Sequence, residues 1–225
     1  MKKRLITICA ILALWTGAFL HGGGGDAEAD APVTYNAESV YRLSGAAVFY
    51  LRALNAEGAV RTTGSGVVIS SGGTAATAYH VVKGAERLEA VFPDGTVAKP
   101  VLVVSYDENK DAAVLALPKR KAAYPALALR EEPMAFGAKA FAIGYPLKDT
   151  PVVTEGIVNN PAAEINGRER LLVSAEIASG MSGGAIIDER GRLAGVVSGS
   201  LRTMNNLHLG VDIGEIRVLL STTKK

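Results

Sequence analysis

Residues Ser179–Asp188 read SGMSGGAIID, and this stretch decides how the chain is interpreted. Ser182 lies among three glycines, Gly180, Gly183 and Gly184, and an apolar run follows directly. A tight glycine-rich turn is the simplest explanation of such a pattern. The alternative is a nucleophilic hydroxyl, held where a substrate and several backbone N–H groups reach it together. The second explanation requires partner residues elsewhere in the chain.

Acyl transfer by serine needs an imidazole base and a carboxylate that fixes the imidazole tautomer. After residue 31 the chain offers only His80 and His208 as bases. His80 ends an apolar run and Asp111 opens another, and each alone fits a structural role as well. Taken together, the order His80, Asp111, Ser182 places the base and the acid in the first half of the chain and the nucleophile in the second.

Short Val-, Ile- and Ala-rich runs separated by turn signals indicate β-strands along the chain after residue 38. Pro93–Thr96 and Asp188–Gly191 are predicted to be hairpin turns, because proline presets φ and glycine accepts a positive φ. The predicted strands are Ala46–Leu54, Gly66–Ser70, Thr74–Val82, Leu88–Phe92, Val97–Val104, Ala112–Leu117, Lys139–Ile143, Val152–Val158, Leu171–Ser174, Ala185–Ile187 and Leu193–Ser198.

This pattern predicts an all-β fold of two six-stranded antiparallel β-barrels with a short C-terminal helix. The first barrel would cover about residues 38–118 and the second about 134–212, joined by a charged surface connection over 119–133. Residues 212–221 form the only segment with apolar side chains at helical spacing. Residues 32–225 would thus form one domain, made of the two barrels, their connection and the C-terminal helix.

Residues 1–31 are predicted to be a secretory signal peptide. Lys2, Lys3 and Arg4 precede the apolar run Leu5–Leu20, and small residues at alternate positions over 27–31 suit a signal peptidase. The predicted location is therefore extracytoplasmic, either periplasmic or secreted. An uncleaved membrane anchor is the alternative, and contact with a membrane is expected only in that case. A buried core helix is disfavoured by the basic leader.

Several classes of protein are excluded by composition. The formal net charge is +2, with 20% charged residues, so nucleic acid is not an expected partner. The only cysteine, Cys9, lies in the apolar leader, which excludes cysteine-protease, zinc-finger and redox sites. The sequence contains no metal-ligand cluster, Walker loop or dinucleotide fingerprint, so no metal and no cofactor is expected.

Five short motifs, in order, resemble those of the trypsin-like serine peptidases, and most of all the bacterial high-temperature-requirement (Htr/Deg) branch. They span about residues 38–218, nearly all of the chain after the leader. The motifs are Gly64–Ile69, Thr77–Val82, Asp111–Leu115, Ala142–Pro146 and Gly180–Gly184, with Gly195–Gly199 similar to the substrate-binding strand of the family. The fold implied by the resemblance is the chymotrypsin-like double barrel.

The resemblance implies a role for each residue of the site. Ser182 would be the nucleophile, His80 the general base and then acid, and Asp111 the group that orients His80. The backbone N–H groups of Gly180 and Ser182 would form the oxyanion hole. Ser198 resembles the serine that hydrogen-bonds the carboxylate of the triad, although an ordinary strand serine would look the same.

Substrate-pocket residues are predicted from the register of the family. Glu176 would lie near the base of the primary pocket, where it could favour Lys or Arg or simply be solvated, while Gly199 and Gly210 would leave the walls open. His208 would lie at the pocket rim or on a strand. The resemblance has departures too: Met181 replaces an aspartate that pairs with a freshly cut N-terminus, and no PDZ module is expected.

The expected function is an exported serine endopeptidase that hydrolyses polypeptide substrates through an acyl-enzyme. A latent or inactive binding or chaperone-like module with the same fold is the alternative. A third possibility, a non-protease acyl hydrolase, is disfavoured because such enzymes place the serine before the acid and the histidine, whereas Ser182 comes last here.

Overall fold

A computed structural model describes residues 33–201 and 204–222 of the chain. The predicted signal peptide lies outside these residues. The first half of the described chain forms one antiparallel sheet of seven strands. These strands are β1 (Val48–Leu54), β2 (Val60–Val68), β3 (Thr74–Thr77), β4 (Arg87–Val91), β5 (Val97–Ala98), β6 (Leu102–Asp107) and β7 (Ala112–Ala116). Their order, β5-β4-β1-β2-β3-β7-β6, leaves the sheet open between β5 and β6.

The second half closes into a barrel of six strands, in the order β10-β13-β12-β11-β8-β9. Side chains of Leu171, Ile186 and Val197 fill its interior and are fully or almost fully buried. The strands are β8 (Lys139–Leu147), β9 (Thr150–Ile165), β10 (Arg168–Val173), β11 (Ala185–Asp188), β12 (Leu193–Ser200) and β13 (His208–Asp212). All neighbouring strands are antiparallel.

The predicted all-β class is confirmed, and the second barrel has the six strands expected for it. The first sheet differs, because it has seven strands and curls into a half-barrel without closing. The predicted strand Val97–Val104 is in fact two strands, β5 and β6. Pro100 lies between them, and proline has no N–H to donate to a ladder. The predicted strand is therefore divided at Pro100, and its two parts, β5 and β6, lie at the two open edges of the sheet.

The structure adds helices that the sequence analysis missed. The helix α1 (Ala37–Ser44) is capped by Asn36, whose Oδ1 accepts a hydrogen bond of 2.9 Å from the N–H of Ser39. This Asn cap was the available sequence signal. The predicted strand Thr74–Val82 was too long, because β3 ends at Thr77 and one helical turn, α2 (Tyr79–Val82), follows it.

The predicted C-terminal helix is confirmed as α3 (Ile213–Thr222). Ile213, Ile216 and Leu219 are its buried residues, as their helical spacing indicated. No helix of the described part of the chain is long and apolar enough to cross a membrane.

The connection between the two β-units is only partly a surface segment. Tyr124 and Leu127 are buried, and the tyrosine packs against Phe92 of the first sheet with ring centroids 5.7 Å apart. Arg130 donates to the buried carboxylate of Asp188 at 2.8 Å, on the second barrel. The predicted surface connection is therefore in contact with both β-units.

Candidate active site

His80 and Asp111 meet at the edge of the first sheet. His80 lies on α2, and Asp111 lies immediately before β7, so two segments distant in sequence bring the side chains together. The Nδ1 atom of His80 lies 3.0 Å from Oδ1 and 2.9 Å from Oδ2 of Asp111. Because the carboxylate only accepts, Nδ1 carries the proton and Nε2 keeps its lone pair. The imidazole is therefore oriented as a base toward solvent, with 48% of its side chain exposed.

Main-chain bonds fix the position of Asp111. Its Oδ1 also accepts from the backbone N–H of His80 at 2.9 Å, and its carbonyl accepts from the N–H of Tyr79 at 3.2 Å. Asp111 itself has φ of 58°, a left-handed conformation uncommon for a residue other than glycine. The surrounding bonds thus hold a backbone conformation that the isolated residue would rarely adopt.

Ser198, on β12 of the second barrel, completes the environment of the carboxylate. Its Oγ donates to Oδ2 of Asp111 at 2.5 Å. Burial raises the pKa of the Asp111 carboxyl, but the hydrogen bonds from His80 and Ser198 outweigh burial and bring the pKa below its ordinary value. The carboxylate therefore stays ionised although only 7% of the residue is exposed.

Ser182 lies on the loop between β10 and β11, and its hydroxyl is also bonded to Ser198. The Oγ atom donates to the carbonyl oxygen of Ser198 at 3.2 Å. Within residues 33–201 and 204–222, no hydrogen bond joins Ser182 to His80. The structure thus brings His80, Asp111 and Ser198 into contact, and it places Ser182 beside Ser198 with its hydroxyl directed to the main chain.

The glycines around Ser182 are required by close backbone packing. A Cβ on Gly183 would lie 2.1 Å from the carbonyl oxygen of Ser65 and from Oγ1 of Thr77, and φ is 86°. At Gly180, φ is 96° and a Cβ would lie 2.7 Å from the carbonyl oxygen of Tyr145. Only glycine fits either position without moving the neighbouring strands.

The loop also leaves two N–H groups free. Across the described residues, neither the N–H of Gly180 nor that of Ser182 has a protein acceptor. Ser65, which is fully buried, clamps the loop: its N–H donates to the Ser182 carbonyl at 2.7 Å, and its Oγ donates to the Gly180 carbonyl at 2.9 Å. Met181 is buried beneath the loop against Gly144. The sequence analysis quoted Ser65 only as part of a motif and missed this role.

A buried arginine that the sequence analysis missed links the second barrel to the segment that carries Asp111. Arg170 of β10 donates to the carbonyl oxygen of Lys110 at 2.6 Å, directly before Asp111. Burial lowers the pKa of this guanidinium, and the nearby Asp111 carboxylate opposes the shift. An arginine remains charged under these conditions. Arg170 therefore supports the left-handed turn at Asp111 from the opposite β-unit.

The predicted pocket residues do not all lie where expected. Glu176 and Ser200 line a cavity of about 460 Å³ beside the Ser182 loop, together with His208. A Cβ on Gly199 of β12 would meet nothing within 4 Å. In contrast, a Cβ on Gly210 would lie 2.4 Å from Cδ1 of Ile186, so this glycine serves packing inside the barrel and does not open a pocket wall.

Two antiparallel β-units with a His–Asp pair on one and a serine in a glycine loop on the other define the chymotrypsin-like class of proteins. Residues 64–196 match the family model described as a trypsin-like peptidase domain. This match covers more than half of the chain, which therefore belongs to the trypsin-like peptidase family.

Individual relatives agree with this assignment. The chain is 31% identical over 203 residues to the serine endoprotease DegS of Escherichia coli K12, covering 84% of this chain and 55% of DegS. It is 32% identical over 163 residues to the serine protease Do-like HtrA of Lactococcus lactis subsp. lactis, covering 66% and 40% respectively. The chain therefore spans little more than half of such relatives, or less.

A solved structure shows the same architecture. The serine endoprotease from Yersinia pestis superimposes with a TM-score of 0.73 at 26% sequence identity. The match covers 85% of this chain and 67% of the other. The prediction of a chymotrypsin-like fold, most similar to the Htr/Deg branch, is thereby confirmed.

Proposed function

We propose that this protein is a serine endopeptidase in which His80, Asp111 and Ser182 act as a catalytic triad. The observation that carries the proposal is the network around Asp111: both carboxylate oxygens lie within 3.0 Å of His80 Nδ1, and Ser198 donates to one of them. This network keeps His80 Nε2 available as a base, next to a strand that also contacts Ser182.

The proposed reaction begins when the Ser182 hydroxyl leaves the Ser198 carbonyl and donates to His80 Nε2. Oγ then attacks the carbonyl carbon of the scissile peptide bond, and its proton passes to Nε2. The electron pair of the C=O bond moves to oxygen, which the free N–H groups of Gly180 and Ser182 stabilise.

Breakdown of this intermediate breaks the C–N bond. The departing amine takes the proton from His80, leaving an ester on Ser182. Water then repeats the sequence: it gives a proton to His80 and attacks the ester, and Ser182 recovers its proton as the carboxylic acid product leaves. The Asp111 carboxylate stays ionised throughout and stabilises the imidazolium, and the reaction consumes only peptide and water.

The proposed substrate is a polypeptide outside the cytoplasm. Residues 1–31 support export, because a basic start, an apolar run and small residues follow in the order of a signal peptide. Retention as a membrane anchor is the alternative on the same residues.

The first test is labelling of the full-length chain with a fluorophosphonate probe. We expect wild type to be labelled and Ser182→Ala and His80→Ala to lose labelling by about 10⁴-fold or more, because the two residues act as a unit. Ser221→Ala, an exposed serine of α3, is the matched control and should be labelled like wild type. Labelling that persists in Ser182→Ala would falsify the assignment.

One observation favours a second candidate function, a protease-fold binding module without turnover. The Ser182 hydroxyl donates to the Ser198 carbonyl and not to His80. On this hypothesis, Ser182→Ala should suppress aggregation of an unfolded client protein as well as wild type does, and neither should cleave the client.

A further inference from the structure

Two neighbouring cavities beside the His80–Asp111 pair share the same two arginines. The first cavity has a volume of about 310 Å³, and His80, Asp111 and Ser198 form part of its wall. The second has a volume of about 340 Å³, and its wall includes the turn between β9 and β10. Arg168 and Arg170 of β10 line both cavities. The cavities therefore adjoin each other at the arginines, and the first opens onto the candidate active site.

The geometry of β10 explains why the two arginines lie together. Side chains alternate along a strand, so Arg168 and Arg170 lie on one side of β10, and Glu169 and Leu171 on the other. Leu171 belongs to the apolar interior of the second barrel. The arginines therefore lie on the outer surface of this barrel, where Nη1 of Arg170 donates to the Lys110 carbonyl at 2.6 Å.

Neither guanidinium group has an ion-pair partner among the described residues. Arg168 is exposed and makes no hydrogen bond there. Arg170 is only 5% exposed, and its one hydrogen bond in the same part of the chain goes to a neutral carbonyl. Burial lowers the pKa of Arg170, the Asp111 carboxylate opposes this shift, and the nearby Arg168 adds to it. The two like charges thus repel each other, and an anion between them would offset that repulsion.

The carboxylates in the cavity walls are already bonded to other groups. The oxygens of Asp111 bond His80 and Ser198. Glu108, in the wall of the first cavity, forms an ion pair with Lys83. Of the described residues, those that line the second cavity include no carboxylate. An anion that binds both arginines therefore has to come from outside the described chain.

We propose that Arg168 and Arg170 bind an acidic side chain, aspartate or glutamate, of the polypeptide that occupies the candidate active site. The inference rests on the proposed peptidase function and names a class of residue in its substrate. A guanidinium group presents its N–H donors in a planar fork that matches the two oxygens of a carboxylate. Because His80 lines the same cavity as the arginines, a polypeptide bound beside His80 passes within reach of them.

A binding experiment tests the site without catalysis. The full-length Ser182→Ala chain is titrated with acetyl-glutamate methylamide and with acetyl-glutamine methylamide, and the arginine Nε–H signals are followed by NMR. We expect the glutamate compound to shift the Arg168 and Arg170 signals and to bind at least about tenfold more tightly than the glutamine compound, since hydrogen bonds between charged groups are the stronger ones. Equal affinities, or no shift of either signal in folded protein, would overturn the proposal.

A parallel titration with inorganic phosphate distinguishes the two sources of an anion. A shift of the arginine signals by phosphate, without one by the glutamate compound, would show that the site takes a free anion and not a substrate carboxylate. The proposal would then be wrong.

Variants in the same background locate the binding. Arg168→Gln is expected to weaken binding of the glutamate compound at least about tenfold, because one of the two charged donors is lost. Arg170→Lys keeps the charge but loses the planar fork, and it should weaken binding as well. Arg190→Gln, an exposed arginine of the β11–β12 turn, is the matched control and should not change affinity. Unchanged affinity in Arg168→Gln would place the carboxylate elsewhere.

Cleavage by wild-type protein tests the same site with a substrate. Fluorogenic peptide pools carry either Glu or Gln at one fixed position, and each position on both sides of the scissile bond is tested in turn. We expect Glu to raise kcat/KM at least about tenfold over Gln at one position, and Arg168→Glu to favour Lys over Gln at that position. A ratio near one at every position in protein that cleaves the peptides would overturn the proposal.

Fluorophosphonate labelling of wild type separates this inference from the function beneath it. Labelling without binding of the glutamate compound overturns the arginine site and leaves the peptidase proposal in place. Binding without labelling overturns the peptidase proposal and leaves a carboxylate site on the same fold.

Discussion

The candidate site has one half on the first sheet and the other on the second barrel. Polar groups of the first half are hydrogen-bonded within the protein, whereas two N–H groups of the second half are unpaired among the described residues. On the first sheet, His80 and Asp111 are bonded to each other, and Asp111 also accepts from the main chain and from Ser198. On the second barrel, the N–H groups of Gly180 and Ser182 have no acceptor among the described residues. Within the described part of the chain, the Ser182 hydroxyl bonds the Ser198 carbonyl and no other group.

This difference agrees with what the proposed peptidase mechanism would require of each group. Asp111 is only 7% exposed, and burying its carboxylate is costly unless hydrogen bonds replace the water it loses. The hydrogen bonds to Asp111 must therefore be in place before a substrate arrives. Groups that bind a developing oxyanion must instead remain unpaired within the protein, because a bond to the protein would compete with the substrate. The following predictions test this contrast, from the largest expected effect to the smallest.

The largest effect is expected for Asp111→Asn, which removes the charge of the His80–Asp111 pair on the first sheet. An Asn amide can donate to Nδ1 of His80 and leave the proton on Nε2, so the base is lost while the fold is kept. We expect the rate of fluorophosphonate labelling to fall about 10⁴-fold. Asp94→Asn in the β4–β5 turn is the control, because an amide oxygen can still accept from Thr96. A loss of less than tenfold in folded Asp111→Asn would contradict the proposed role.

The second prediction concerns the backbone of the Ser182 loop, on the second barrel, and its effect on stability. Gly183→Ala places a Cβ 2.1 Å from backbone and side-chain atoms at φ of 86°, whereas Gly95→Ala has a similar φ of 81° and nothing within 4 Å. Left-handed strain costs about 1–2 kcal/mol and overpacking about 1–3 kcal/mol more. We expect urea unfolding to show a loss of about 3–4 kcal/mol for Gly183→Ala and about 1–2 kcal/mol for Gly95→Ala. Equal losses of stability for the two variants would mean that close packing around the Ser182 loop does not add to the cost of Gly183→Ala.

Arg170 connects the two halves, so its removal should affect both stability and reactivity. Arg170→Gln leaves the Lys110 carbonyl without its charged donor, and we expect about 2 kcal/mol lower stability. The labelling rate should fall about tenfold, as the turn at Asp111 loosens, with partial rescue by Arg170→Lys. Arg168→Gln, an exposed residue of the same strand, should stay within about 0.5 kcal/mol of wild type. A loss of stability with an unchanged labelling rate would show that Arg170 stabilises the fold but does not affect the reactivity of the site.

The smallest effect is a pH dependence conferred by Ser198. The pKa of Asp111 is lowered on folding, partly by the Ser198 hydroxyl, so this bond stabilises the fold above the ordinary carboxyl pKa of about 4. The stabilisation is lost as the pH falls through the lower pKa of the folded state. We expect Ser198→Ala to cost about 1–2 kcal/mol at pH 7 and less near pH 2–3.

Urea unfolding at both pH values measures this difference, with Ser221→Ala as the control. A cost for Ser198→Ala that is the same at the two pH values would show that Asp111 titration is not linked to this hydroxyl.

Local sequence patterns predicted the parts of the structure that depend on local chemistry. The turn at Pro93–Thr96 forms as expected, with the N–H of Phe92 bonded to the Thr96 carbonyl at 2.9 Å and Gly95 at positive φ. The apolar spacing of α3 also identified its buried face. Two strand predictions were too long: Pro100 divides Val97–Val104, and the apolar run after Thr77 continues as the helical turn α2. Composition alone does not say where a strand ends.

Taken by itself, the sequence determined the β-class, the glycine-rich loop and the three residues of the proposed triad, because each rests on residue types within a short window. Tertiary structure alone decided which distant residues support them. Arg170 donates to the Lys110 carbonyl, and Ser65 donates to the Ser182 loop. Ser200 lies within hydrogen-bond distance of His208. None of these contacts leaves a periodic pattern in the sequence. The register of paired strands and the closure of the second barrel bring them together. Polar contacts between distant segments depend on that geometry and not on the identity of neighbours along the chain.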